Sequence, residues 1–212
     1  MYLSRLKLNP SLRNTKEILI NPYTLHQAVY RAFPDKLDDG PGRVLYRVDE
    51  NKRINFVRLI VQSEKEPDWP KADFITNCLL EPAEHKVFAP RFEVGQTLRF
   101  RVRANPSVKK QAEGKKNGYR LGILREDDQF RWLGLKAESG GFTLVSCETV
   151  PEGVIQDERG KKDKDKLRHF AVRFEGILRI TDDELFRTAI VNGIGAAKGF
   201  GFGLLSVAPL RG

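Results

Sequence analysis

The sequence predicts an α+β fold in which the order strand, helix, strand, strand is met twice. Three observations predict it. Apolar residues alternate with polar ones at the start of each half, over Tyr2 to Leu8 and again over Leu98 to Arg103. Each of these strands leads, through a turn-rich stretch, to a helix whose start is signed by Asn, Asp or Pro. Two further apolar strand-like runs follow each helix. The implied architecture is a pair of tandem ferredoxin-like (RRM-like, β-α-β-β-α-β) domains, residues 1–92 and 93–212, repeated in topology but not in visible sequence.

Each element follows from local chemistry. In the opening strand Tyr2, Leu6 and Leu8 share one face. The turn-rich stretch Asn9 to Asn14 leads toward a helix that Asn21 caps and Pro22 begins, since proline lacks the N–H that the first turn leaves unbonded. Leu25, Ala28, Val29, Ala32 and Phe33 then form one buried stripe, and Pro34 stops the helix. Val44 to Val48 and Ile54 to Gln62 read as strands; from Glu66 to Pro90 four prolines interrupt the pattern, so a second helix near Asp73 to Leu80 is short. In the second half, Leu98, Phe100 and Val102 alternate with Arg99, Arg101 and Arg103, a strand with one apolar and one basic face that Asn105-Pro106 ends. Ser107 to Asn117 reads as a lysine-rich loop. Asp127 or Asp128 caps a helix carrying Phe130, Trp132, Leu133 and Leu135 that stops at Gly140-Gly141. Phe142 to Val145 and Phe170 to Ile180 are strands, Thr181-Asp182-Asp183 caps a helix to about Val191, and Leu204 to Val207 is the last strand.

Composition narrows the function. With 40% hydrophobic and 31% charged residues, and no apolar run near the roughly 20 residues that span a bilayer, the chain is expected to be soluble, to lack a secretory signal and to stay in the cytoplasm. Cys78 and Cys147 are expected to be buried free thiols, and His26, His85 and His169 are too dispersed for a zinc site, so no cofactor is expected. The net charge of +9 and pI near 9.6 call for an acidic partner. The charge is segregated: residues 99–125 carry nine basic side chains against Glu113 alone. Residues 126–158 are net acidic, and then Arg159, Lys161, Lys162, Lys164, Lys166 and Arg168 face only Asp163 and Asp165. Two such islands fit a polyanion better than an ordinary mixed surface does.

On the first helix, at about 100° per residue, Tyr23, Gln27 and Tyr30 fall opposite the apolar stripe and His26 lies on its flank, so Tyr23 and His26 can point into one groove. An imidazole, with an unperturbed pKa of about 6.5, can both take and give a proton near neutrality. RNA supplies its own nucleophile: once a base removes the 2′-OH proton, that oxygen can attack the adjacent phosphorus and expel the 5′-oxygen. Tyr23 would orient the 2′-OH or phosphate, His26 would move the proton, and Arg31 would neutralise the phosphorane. Near the C-terminus, Gly193 to Gly203 holds glycine at positions 193, 195, 199, 201 and 203 without making a dinucleotide or P-loop motif. It offers bare backbone N–H groups and Lys198 to a phosphate, or simply connects a helix to the last strand. Lys198 to Phe202 also matches the first five positions of the RNP1 consensus, yet is too glycine-rich for a sheet strand.

Taken in order, these landmarks resemble the CasE family of CRISPR repeat-processing endoribonucleases. They are Met1-Tyr2-Leu3-Ser4, Tyr23-x-x-His26, Leu98 to Pro106, Phe174-Glu175-Gly176, and Gly193 to Lys198 running into Gly201 to Pro209. The resemblance implies tandem ferredoxin-like folds that bind a CRISPR repeat hairpin and cut precursor crRNA at the 3′ base of its stem. The product would stay bound, with the protein acting as a subunit of the Cascade complex and monomeric outside it. It further implies His26 as catalytic histidine, Tyr23 as supporting tyrosine and Arg31 at a less uniform basic position. Arg159 to Arg168 correspond to a basic hairpin on the RNA stem, and Arg101, Arg103, Asn105, Lys109, Lys110 and Lys198 are the further expected RNA contacts. Two rivals stay open: a module that binds structured RNA without cutting it, and a metal-dependent nuclease, which would need clustered carboxylates where Asp127-Asp128 and Asp182-Asp183 read better as helix caps.

Overall fold

A computed structural model of the chain describes residues 1–35, 40–50, 55–111, 119–157 and 167–210. They form two compact units. The first takes in Met1–Pro90 and, from far along the chain, Lys198–Leu204; the second is built on Arg91–Ile155 and Arg168–Ala197 and takes in the last strand.

In the first unit β1 (Tyr2–Leu8) is followed by α1 (Arg13–Ile20), α2 (Pro22–Tyr30), β2 (Val44–Glu50), β3 (Val57–Ser63), the short α3 (Asp73–Thr76) and β4 (Glu84–Val87). The sheet order is β2-β3-β1-β4, with β1 antiparallel to both β3 and β4. Alternation on β1 puts Ser4, Leu6 and Leu8 on the core side, where they are fully buried. The Ser4 hydroxyl is kept satisfied there by the Trp69 indole, whose Nε1 donates to Ser4 Oγ at 3.1 Å. Ile18 of α1 and Leu25, Ala28 and Val29 of α2 complete the same core with Tyr46 of β2.

In the second unit β5 (Thr97–Ala104) is followed by a hairpin of β6 (Ser107–Lys110) and β7 (Tyr119–Gly122), then α4 (Glu126–Ser139), β8 (Phe142–Asp157), β9 (Leu167–Ile180), α5 (Asp183–Asn192) and β10 (Ser206–Pro209). The order β10-β5-β9-β8 repeats the topology of the first sheet. Each unit is thus ferredoxin-like: a strand enters between the first two strands of a β-α-β crossover, and helices cover one face. Trp132 of α4 stacks on Phe174 of β9 at 6.2 Å, and Phe186 of α5 meets Phe142 of β8 edge-on at 5.6 Å.

Several local expectations are corrected. The stretch after Asn9 holds a helix of its own, α1, which the spacing of its apolar residues does not announce because only Thr15 and Ile18 are buried. Strand β4 is exposed along its whole length, so no alternation marks it. Ser107 to Lys110, read as loop, is the first strand of the β6–β7 hairpin, paired Ser107 to Gly122 and Lys109 to Arg120. Asp127 and Asp128 lie in the first turn of α4 behind Arg125 at the cap, where they favour the positive end of the helix without capping it. Asp182 does cap α5, accepting from Leu185 N at 2.9 Å. A single cut after residue 92 also differs from the compact units, because Lys198–Leu204 packs with the first. Cys78 and Cys147 are both free thiols, but only Cys78 is buried; Cys147, on β8, is half-exposed. Among the described residues no helix is long and apolar enough to cross a membrane.

Two glycines have opposite roles. A Cβ on Gly176 of β9 would stand 2.1 Å from the Ser146 carbonyl oxygen of β8, so only glycine permits the approach of these strands. Gly134, inside α4, has nothing within 4 Å of such a Cβ. Gly176→Ala should therefore lower the denaturant midpoint, at or above the upper end of the roughly 1–3 kcal/mol that overpacking costs. Gly134→Ala should raise stability by about 0.5–1 kcal/mol through helix propensity, read from the same unfolding curves.

Candidate active site

The first helix pair turns sharply at Asn21, whose side chain accepts from Tyr23 N at 2.9 Å and so fixes the first turn of α2. This cap sets Tyr23, His26 and Tyr30 on one flank at successive turns. Tyr23 and His26 lie nearly parallel, with ring centroids 6.5 Å apart, and Gln27 Nε2 donates to the Tyr23 hydroxyl at 3.2 Å. The His26 ring meets that of Tyr30 at 4.1 Å. All three rings are half-buried. Burial of Tyr30 pushes its hydroxyl above the ordinary tyrosine value of 10.0, against a smaller opposing pull from Arg43.

The glycine-rich segment comes to the same place. Lys198–Phe200 form a single 3-10 turn, not the sheet strand that the RNP1 likeness would require. Phe200 stands 6.1 Å from His26, and a Cβ on Gly199 would lie 3.4 Å from His26 Nδ1. The Gly199 carbonyl accepts from the Tyr46 hydroxyl at 2.8 Å.

The expected residues divide into four groups, the last of them outside the described residues. Tyr23 and His26 are together on α2, and Lys198 heads the turn that meets His26. Arg31, at the end of α2, points its guanidinium to Asp73 on α3, with Nη1 3.4 Å from Oδ1. Both side chains are exposed, so the pair is weak and easily exchanged. The second group lies on the face of the second sheet opposite the helices. There Arg101 pairs with Glu175 at 2.9 Å, Arg103 with Glu152 at 2.6 Å, and Arg173 with both glutamates. Arg103 sits directly opposite Arg173 in the β5–β9 register, a like-charge pairing that the shared Glu152 relieves. Asn105 is buried with its Nδ2 3.1 Å from His169 Nδ1. The basic face is therefore carboxylate-paired, not bare. Lys109 and Lys110 are exposed on β6, and Arg168 is exposed on β9. Arg159, Lys161, Lys162, Lys164 and Lys166 lie outside the described residues, as do Lys115 and Lys116.

Tyr30, Tyr46, Gly199 and Phe200 complete the surroundings of His26 and were not among the expected site residues. Helical spacing pointed to Tyr30, four residues after His26. No local signal pointed to Tyr46, which bonds to a residue 153 positions later. Among the described residues no group of three or more His, Cys, Asp or Glu is placed to hold a metal ion.

The fold defines a tandem ferredoxin-like protein, and the aromatic rings gathered around His26 on α2 are its candidate site. Residues 1–209 match the family described as CRISPR associated protein. The chain is 36% identical over 218 residues to CRISPR-associated endoribonuclease Cse3 of Thermus thermophilus, covering 99% of this chain and 100% of that protein. It is 29% identical over 195 residues to CRISPR system Cascade subunit CasE of Escherichia coli, covering 89% and 92%. A solved structure of CRISPR endoribonuclease Cse3 bound to a 19-nt RNA matches with a TM-score of 0.85 and 32% identity, over 99% of this chain and 100% of that one. The chain belongs to the CRISPR associated protein family, within its CasE group of endoribonucleases.

Burial favours the neutral phenol of Tyr30 in the fold. Stability from this group should hold up to pH about 10 and fall as the pH rises through the raised folded value. Denaturant unfolding across the alkaline range, wild type against Tyr30→Phe, checks this: the phenylalanine variant should lose less stability as the pH climbs.

Proposed function

We propose that this protein binds a CRISPR repeat hairpin and cuts precursor crRNA at the 3′ base of the stem by attack of the RNA's own 2′-OH. The products are a 2′,3′-cyclic phosphate and a 5′-OH, and the protein then stays on the crRNA as a Cascade subunit. The observation that carries this reading is the His26 imidazole set beside Tyr23 on α2, in a chain alike over its whole length to an endoribonuclease solved with RNA. His26 moves the proton, as base toward the 2′-OH or as acid toward the leaving 5′-oxygen, and Tyr23 orients the reacting group. Arg31 exchanges Asp73 for the phosphate and offsets the charge of the phosphorane. No step calls on a metal ion. Exposed Lys109, Lys110 and Arg168 meet the RNA backbone, together with the basic run from Arg159 to Lys166 and Lys198. Arg101, Arg103 and Asn105 act from the carboxylate-paired face of the second sheet, where a phosphate must displace Glu152 or Glu175 to reach a guanidinium.

His26→Ala should lower single-turnover cleavage of the host's repeat RNA by about 10²–10⁴-fold or more. Hairpin affinity should stay within a few-fold; a parallel loss of affinity would make His26 a binding residue. Cleavage should persist in excess chelator and stop with RNA carrying one 2′-deoxy substitution at the cut site. A metal requirement, or cutting of the deoxy RNA, would sink the mechanism. Lys109→Ala should lower the slope of log affinity against log salt by about one at most, measured by titration at several salt concentrations.

A further inference from the structure

We infer that Tyr30 and Tyr46 are positioning residues that seat the His26 imidazole, Tyr30 through its ring and Tyr46 by holding the Gly199 backbone against the edge of the histidine. The inference rests on the reading of His26 as the catalytic histidine and goes beyond it, to what fixes that ring.

The torsion that turns an imidazole about its last bond is broad and roughly two-fold, so the helix alone does not decide which way the nitrogens of His26 point. Neighbours on its face and edge must decide it. On the face, the Tyr30 ring lies 4.1 Å away, one helical turn along. Tyr30 is itself held edge-on by Phe33 at 6.5 Å, and Phe33 by Trp69 at 6.2 Å. Trp69 is buried and its Nε1 donates to Ser4 of β1. A continuous run of packed rings thus joins the histidine to the centre of the first sheet. The raised Tyr30 hydroxyl stays protonated near neutrality, which suits a packing surface and not a base.

On the edge, Gly199 is close enough that an added Cβ would be 3.4 Å from His26 Nδ1 and 3.5 Å from Cε1. The backbone of Gly199 is placed by Tyr46, fully buried on β2, whose hydroxyl donates to its carbonyl at 2.8 Å. Gly201, at φ +79°, passes over the same tyrosine ring, 3.2 Å from Cε2 for an added Cβ. Such a backbone conformation and approach suit glycine, so the segment can pass close to Tyr46 and reach the histidine. The imidazole is held between a ring supported from the core and a backbone tethered to the core. Proton transfer demands this, since a misplacement of about 1 Å can cost 10²-fold in rate.

The test uses the full chain and the host's repeat RNA. It measures single-turnover rate, hairpin affinity, folded fraction by circular dichroism, and the imidazole resonances of His26 by NMR. Tyr46→Phe keeps the buried ring and removes only the hydroxyl; it should slow cleavage by about tenfold, with affinity within twofold and the His26 resonances shifted. Tyr30→Leu should slow cleavage similarly, and Tyr30→Phe should cut near the wild-type rate because the ring is what packs. The inference is overturned if Tyr46→Phe and Tyr30→Leu cut like wild type per folded molecule, or leave the His26 resonances in place. It stands apart from the catalytic reading: an active His26→Ala would refute that reading, whereas an inert His26→Ala beside unaffected tyrosine variants would refute this inference alone.

Discussion

The hydroxyl of Tyr46 is buried in the core of the first unit, where a phenolic O–H cannot be left without an acceptor. Its acceptor is the carbonyl of Gly199, which the chain reaches only after completing most of the second unit. Such a bond adds about 0.5–1.5 kcal/mol net, whereas leaving the hydroxyl unsatisfied would cost about 1–3 kcal/mol. The asymmetry matters more than the bond's own strength, because it ties Lys198–Leu204 to the first sheet. Phe202 and Leu204 are buried with it, and Gly201 and Gly203 supply the positive φ that the path requires. With this segment docked, His26 has a neighbour on its edge; without it, α2 would present the histidine on an open flank.

The other half of the site is local. Asn21 and Pro22 start α2 at a fixed residue, and from that start the helical period alone stations Tyr23, His26 and Tyr30 on one flank. The last bonds of the helix tighten to the i−3 pattern, with Ala32 N donating to Val29 O and Phe33 N to Tyr30 O. That short turn brings Phe33 to Trp69 and leaves Arg31 facing Asp73. An amphipathic helix of nine residues thereby serves the core on one side and presents Tyr23, His26 and Tyr30 on the other.

Charge is organised differently in two basic parts of the second unit. On the second sheet Arg101, Arg103 and Arg173 are half-buried and share Glu152 and Glu175, so the sheet is stabilised against its own repulsion. A phosphate approaching that face must compete with carboxylates already in place. On the β6–β7 hairpin, Lys109, Lys110 and Arg120 are exposed and already hydrated, so a polyanion meets them at little desolvation cost. Counting arginines along a strand does not distinguish these cases, since the partners arrive from other strands.

The order of residues along the chain is enough to set the strands with alternating apolar positions, the capped start of α2, the cap of α5 by Asp182 and the repeated ferredoxin-like order. All of these are set by interactions within a few residues or by a periodicity of two or 3.6. It also places Tyr23 and His26 together, because three residues along a helix are neighbours whatever the helix packs against. The rest belongs to tertiary packing. The exposed edge strand β4 exists because β1 offers it hydrogen bonds, not because of any pattern of its own. The charge of the arginine face of β5 is partly offset because β8 and β9 bring Glu152 and Glu175 to it. The seat of His26 depends on a hydrogen bond between residues 153 positions apart, for which no local spacing exists. Helical and strand periods act over neighbouring residues, whereas burial and hydrogen-bond satisfaction act over whatever the fold brings near.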